Sequence, residues 1–327
     1  MDRLAARELL ASALVCDMVL PFEKGLEHKA SILERYRAQG ISYVSLTVGI
    51  DWAGVEETIR LIASERARIF GEPDRFMLVD KAADIGAARQ SGKLAVSFNF
   101  QGSNGLGGDP AMLEVYHSLG LRQLILSYNS RNAAGDGCHE PADGGLSSYG
   151  RRLVAEMNRL GILVDCSHMG VRSSLEAIDV SSEPVVFSHS NARSVWNHER
   201  NITDEQIAAC AARGGMIGVN GVGLFLGPND ASPDTFVGHV DHIVQQVGID
   251  HVGLGLDLVY FEDTMYRIFA ESPSLFPAGY PDPPWNFLQI ESLGDVVEGL
   301  LQRGYCDDDV RKFLGLNFLR TASRVWG

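Results

Sequence analysis

The sequence lacks the features that would commit it to several common fates. No run of 18 apolar residues occurs, so nothing reads as a membrane-spanning helix. Basic residues are few beside acidic ones: 28 Lys and Arg against 42 Asp and Glu leave a formal charge of −14. Nucleic acid and anionic membranes are bound through clustered Lys and Arg, so neither is an expected partner. The five cysteines (Cys16, Cys138, Cys166, Cys210 and Cys306) are odd in number, widely spaced and form no C-x-x-C pair. That excludes a disulfide scaffold or a zinc-finger site. The first residues do not read as a secretory leader, and a reducing cytoplasm is the expected compartment. The glycine-rich stretch Gly102–Gly108 has neither the Lys-Ser/Thr of a P-loop nor dinucleotide spacing, and no G-x-S-x-G elbow is present.

What remains is a globular chain of 327 residues, 45% hydrophobic and 21% charged. Short apolar runs recur at Ala13–Cys16, Ser42–Thr47, Leu94–Phe98, Gln123–Ser127, Ile162–Cys166, Pro184–Ser188, Gly215–Val219 and Val252–Leu256. They show little polar alternation, as strands buried on both faces of a parallel sheet do. Amphipathic stretches separate them, among them Glu56–Ile69, Gly150–Leu160 and Thr235–Val247. Thr203 with Gln206 has capping-box spacing at another helix start. Eight strands alternating with helices predict an α/β protein, a (β/α)8 TIM barrel, with an open doubly wound sheet as the alternative. No linker divides residues 1–327, which are expected to form a single barrel domain. The stretch 260–286, with Pro273, Pro277, Pro281, Pro283 and Pro284, breaks the rhythm and reads as a lid or a subunit contact.

Barrel chemistry sits at the carboxyl ends of strands. There the sequence places Asp17, Gln101, Tyr128, Asn129, Asp165, His168, His189, Asn220 and Asp257. His168 and His189 follow consecutive strands and so lie side by side, as metal or catalytic histidines or as hydrogen-bonded caps of the barrel. Asp257 ends a strand of small and apolar residues, where a carboxylate suits acid/base or ligand duty, or else holds a neighbouring loop. Arg200 suits bidentate capture of a carboxylate, or is a surface residue. Cys138 and His139 lie in a loop, with a weak case for an accessory role. His28, His117, His198, His239, His242 and His251 read as surface or satisfied core histidines.

Three blocks carry a resemblance. Asn-Arg-Leu-Gly-Ile-Leu-Val-Asp-Cys-Ser-His ending at His168, Val-Val-Phe-Ser-His-Ser-Asn-Ala-Arg around His189, and Arg-Asn-Ile-Thr-Asp-Glu-Gln from Arg200 resemble the membrane (renal) dipeptidase family, peptidase family M19. The resemblance implies a commonly dimeric barrel of the metallo-dependent hydrolase type, two zinc ions, and hydrolysis of dipeptides, including those ending in a D-residue. It implies that His168 and His189 hold the second metal, that Asp257 shuttles the proton, and that Arg200 holds the substrate carboxylate.

Four positions depart from the family pattern. Its His-x-Asp before Leu-Pro is Asp17 and Val19 here, its bridging glutamate is Gln101, and its oxyanion histidine is Tyr128. A bridging carboxylate offsets the repulsion of two dications about 3.5–4 Å apart, and neutral Gln101 cannot. The expectation is therefore a dipeptidase-like hydrolase with at most one divalent cation per chain, zinc first. Its ligands would be His168, His189 and either Asp17 or the Gln101 carbonyl oxygen. Tyr128 would steady the oxyanion, with Arg200, Tyr128, Asn129 and Asn220 on the substrate. The alternative is a metal-free relative that binds a small molecule or catalyses another acid/base reaction. The substrate is expected to be dipeptide-like and the assembly a homodimer.

Overall fold

Eight parallel strands close into a ring in the computed structural model, which describes residues 3–21, 29–260, 262–271 and 280–327. They are β1 (Cys16–Leu20), β2 (Tyr43–Ile50), β4 (Leu94–Gln101), β5 (Leu121–Ile125), β6 (Leu163–Asp165), β7 (Val186–Phe187), β8 (Met216–Val219) and β9 (Val252–Leu254). Pairing of β2 with β4 and of β1 with β9 completes the circle. The expected (β/α)8 barrel is thus the fold, and the open sheet is not.

A ninth strand, β3 (Phe76–Leu78), pairs with Leu94–Val96 of β4, on the edge that β5 takes over from Phe98. Three residues are too few to show a period, so no sign of it is legible in the residue pattern.

The helices start and stop where local chemistry directs. Ser147 accepts from Gly150 N at the head of Ser148–Leu160, and Gly161, at φ 72°, ends that helix in the left-handed region open to glycine. Thr203 and Gln206 form the expected capping box. Ser232 caps Pro233–Val247.

The amino end of the barrel is plugged. The first residues of several strands (Cys16, Tyr43, Leu163, Val186 and Met216) pack with Phe318, Ala322 and Val325 of the last helix, Asn317–Trp326. Phe318 stacks on Tyr43 at 4.7 Å between ring centres. The carboxyl end is the one left for a site. At that end the backbones approach closely: a Cβ on Gly255, just past β9, would collide with the Ser188 carbonyl, just past β7.

Part of the expected lid is a helix, Glu262–Glu271, rather than an irregular strap. Residues 261 and 272–279, with Pro273 and Pro277, lie outside the described residues, as does His28. No described helix is long and apolar enough to cross a membrane.

β1 begins and ends later than the sequence suggested, because the apolar run continues through Met18, Val19 and Leu20. This moves Asp17 from the strand end into the strand. Its Oδ1 accepts from Leu256 N (2.9 Å) and Val19 N (3.3 Å), and its Oδ2 from the Tyr36 hydroxyl (3.0 Å). Asp17 therefore straps the barrel seam between β1 and the end of β9. Burial lifts its carboxyl to about 7 against those hydrogen bonds.

A folded-state pKa above the unfolded value means that the fold keeps a proton the open chain releases. This contribution to stability is full below about pH 4 and is lost as pH rises toward 7. Asp17→Asn does not titrate and retains an oxygen for Leu256 N. Calorimetry should show the melting temperature of Asp17→Asn, relative to wild type, rising from about pH 4.5 to about pH 7.5. A flat difference would show that folding does not favour the protonated form, and a falling one that it favours the charged form.

Candidate active site

The open end of the barrel brings most of the strand-end residues together. His168 and His189 meet, with their Nε2 atoms 2.8 Å apart. The Arg200 guanidinium caps them: Nη2 lies 3.2 Å from His168 Nε2 and donates to the His189 carbonyl at 3.0 Å. Tyr128 stacks on the His168 ring at 3.9 Å. Gln101, Tyr128, His168 and Asp257 line one cavity of about 400 Å³, walled elsewhere largely by apolar side chains.

The backbone bends sharply to achieve this. Asn129, His168 and Asp257 have φ of 57°, 64° and 54°. Left-handed geometry in a residue with a Cβ is strained, and it collects at functional sites where surrounding contacts enforce it. The enforcement is visible at His168, whose carbonyl accepts from Cys138 N at 2.8 Å, while Asn129 O accepts from His139 N at 2.9 Å. The loop carrying Cys138 and His139 is thus a brace. His139 joins an aromatic cluster with Tyr280, His198, Phe225 and Trp285 beside Arg200. Burial, then the nearby guanidinium, holds His139 down to about 4.

The hydrogen bonds fix the proton positions. Asn129 Oδ1 can only accept, so His168 Nδ1, 2.7 Å away, carries a proton and His168 Nε2 is bare. Arg200 donates to that bare nitrogen, and so must His189 Nε2. His189 Nδ1 is then bare and accepts from the Ser188 hydroxyl at 2.6 Å. A directed chain results: Ser188 to His189 to His168 to Asn129. Burial, with the Arg200 charge second, keeps both imidazoles far below their usual pKa and therefore neutral.

Asn129 and Asn220, expected on the substrate, each bond a neighbouring side chain. Asn129 holds His168, and Asn220 Nδ2 donates to Asp257 Oδ2 at 2.9 Å. Neither lines the cavity. Burial raises the Asp257 carboxyl, while Arg200 and the Asn220 bond pull it back. Tyr128, pushed up by burial and then by Asp257, stays a phenol.

Gln101 is oriented by a relay. Its Nε2 donates to Thr47 Oγ1, which donates to Asn99 Oδ1, whose own amide donates to Ser45. Its carbonyl oxygen is the end left for the cavity.

The sequence reading missed Asp51. This half-buried carboxylate accepts from Tyr128 N (2.9 Å), Asn104 N (3.1 Å) and the Asn132 amide (2.9 Å), tying two loops beneath Tyr128. Gly102, at φ 128°, abuts it with no room for a Cβ. The signal was present: β2 runs to Ile50 and Asp51 is its strand-end acid, whereas the apolar run had been ended at Thr47. His198 was likewise set aside as a surface or core residue.

Similarity to known proteins agrees with this geometry. The family described as membrane dipeptidase (peptidase family M19) matches residues 53–264. Dipeptidase tcpJ of Claviceps purpurea is 31% identical over 256 residues, covering 77% of this chain and 56% of that protein. An uncharacterized dipeptidase of Schizosaccharomyces pombe is 32% identical over 281 residues, covering 83% and 62%. The chain thus spans about three fifths of the length of these curated relatives. The crystal structure of an amidohydrolase from Pseudomonas aeruginosa superposes with a TM-score of 0.89 at 30% identity, covering 98% of this chain and 99% of that one. A Rhodobacter sphaeroides metallopeptidase, solved with a phosphinate mimic of L-Ala-D-Ala, shares the fold at TM-score 0.79 and 23% identity, covering 96% and 99%.

The proton assignment can be read directly. In chelator-treated protein, long-range ¹H–¹⁵N NMR should find His168 protonated on Nδ1 and His189 on Nε2. Ser188→Ala should shift the His189 tautomer signals. The opposite tautomer pair in wild type would refute the chain.

Proposed function

The chain belongs to the membrane dipeptidase family, peptidase family M19, and from that membership we propose a dipeptidase-like hydrolase whose centre holds at most one divalent cation. The observation that carries this reading is the imidazole pair. Both Nε2 atoms converge on one point beside the cavity that Asp257 lines, while Asn129 and Ser188 anchor both Nδ1 atoms. Nδ1 anchoring of this kind accompanies ligating histidines.

The donor set suits one cation and not two. Among the described residues, no three His, Cys, Asp or Glu side chains gather as a metal site. Val19 has no lone pair, Gln101 no charge, and both Asp17 oxygens are engaged at the seam. His168 and His189 would hold the ion, with the Gln101 carbonyl oxygen as third donor in place of Asp17. For His189 to serve, its proton moves to Nδ1 and the Ser188 oxygen becomes the acceptor. When bound, the ion supplies a Lewis acid for the scissile carbonyl and lowers the pKa of water.

The remaining chemistry belongs to the side chains. Arg200 is buried, and its Nε has no hydrogen-bond partner among the described residues. A buried cationic donor left open in this way suits a carboxylate on the substrate. Asp257, raised in pKa and tethered through Oδ2, offers Oδ1 to take a proton from water and return it to the leaving amine. The Tyr128 phenol donates to the oxygen that gathers charge.

A second reading, a metal-free relative, is favoured by one contact: the Arg200 guanidinium already donates to His168 Nε2, where a cation would sit. Elemental analysis separates the two, with a metal-to-protein ratio near one for the first and near zero for the second.

Purified protein supplied with zinc, manganese or cobalt should hydrolyse members of a panel of L-L and L-D dipeptides. It should lose that activity to chelator, and Asp257→Asn should lower kcat by about 10²–10⁴-fold. No turnover of any dipeptide with any of the three metals would refute the proposal.

Val19→Asp combined with Asp17→His and Gln101→Glu should raise bound metal toward two per chain, measured on the folded fraction. An unchanged ratio would place the family's first-site ligands elsewhere in this chain.

A further inference from the structure

The cavity is larger and more apolar than hydrolysis of a small dipeptide requires. Its inner wall is the polar set Gln101, Tyr128, His168 and Asp257, and beyond that it opens into a chamber. Ile50 and Trp52 follow from the end of β2, and Leu61 projects from the helix Val55–Gly71. Met265 and Ile268, three residues apart on Glu262–Glu271, face the same space, and Trp285 lies on its wall. About 400 Å³ falls in the range of clefts that enclose ligands well beyond two small residues.

Trp52 gives the chamber a direction. It lines the cavity yet is 41% exposed, unusual for a large aromatic side chain. It meets Tyr128 edge to face at 5.4 Å and 89°, and Tyr128 stacks on His168. One aromatic surface therefore runs from the chamber to the imidazole pair. A substrate whose carboxylate reaches Arg200 and whose amide lies at Asp257 would direct its acyl side along that surface.

We propose that this chamber is a specificity pocket for a bulky apolar, preferably aromatic, group on the acyl side of the scissile amide, seated against Trp52, Leu61, Met265 and Ile268. The proposal rests on the hydrolase reading for the placement of carboxylate and amide. The apolar preference of the chamber rests on its own walls, which are apolar for the most part, with Glu57, Arg267 and Glu271 as their charged members. Burying an aromatic group there strengthens binding through apolar area and ring contacts.

Titration calorimetry on Asp257→Asn, which cannot consume the ligands, tests both parts. The ligands are Gly-D-Ala, Leu-D-Ala, Phe-D-Ala and 3-phenylpropionamide, the last carrying the aromatic group without a carboxylate. Affinity should rise about 10-fold or more from Gly-D-Ala to Phe-D-Ala. Trp52→Ala, and Leu61→Trp, which fills the chamber, should each erase most of that gain, read as the ratio of Phe-D-Ala to Gly-D-Ala affinity within each variant. Equal affinities along the series, or weaker binding of the bulky members, would overturn the specificity pocket and leave the hydrolase reading intact. Binding of 3-phenylpropionamide that Trp52→Ala abolishes, with no dipeptide bound, would remove the hydrolase reading and retain the apolar chamber. No binding by any of the four would overturn the chamber as well.

Discussion

A guanidinium buried against two neutral imidazoles governs this end of the barrel. Arg200 donates to a histidine nitrogen and a backbone carbonyl, neither of which carries charge. Burial and that neighbouring cation keep His168 and His189 neutral. The same charge works the other way on Asp257, restraining the rise in pKa that burial imposes. One side chain therefore acts beside burial on the protonation of three others, while its own Nε has no hydrogen-bond partner among the described residues. The residues read as acid, base and ligand take their chemistry from a neighbour they do not resemble.

The scaffold makes that arrangement available at one end only. Aromatic packing closes the amino end, and the short strands β6, β7 and β9 hand over at once to turns that carry the polar groups. Asn129 and His168 hold left-handed backbones under hydrogen bonds from the loop of Cys138 and His139, and Asp257 holds a third past the end of β9 on the same rim. Rigidity here comes from loop-to-loop bonding rather than from the strands, and it places side chains that propensity alone would not.

Legibility in the sequence followed the length of the signal. Short, largely apolar runs marked the ring of strands, and helix caps such as Thr203 showed in the residue types. His168, His189 and Asp257 stood out because polar groups that follow apolar runs need a reason to be there, and Arg200 because its type suits capture of a carboxylate. Several features escaped. β3 was too short to show a period. Asp17 was placed at a strand end, whereas it lies inside β1 with both oxygens bonded at the seam. Asn129 and Asn220 stood out as polar residues at the right end of the barrel, but which neighbour an amide bonds depends on a rotamer that spacing does not encode. Asp51 was missed because the apolar run was ended at Thr47, whereas the strand continues to Ile50.

The close fit of Gly102 against the Asp51 carboxylate also restricts how this site can diverge over time. Any lineage that enlarges residue 102 must first shrink residue 51, and in doing so gives up the bonds that hold the backbone at Tyr128 and Asn104. The two positions are therefore evolutionarily tied. Relatives that have traded Asp51 should have re-anchored both loops by other means, and their aromatic partner to the imidazole pair should have drifted as well.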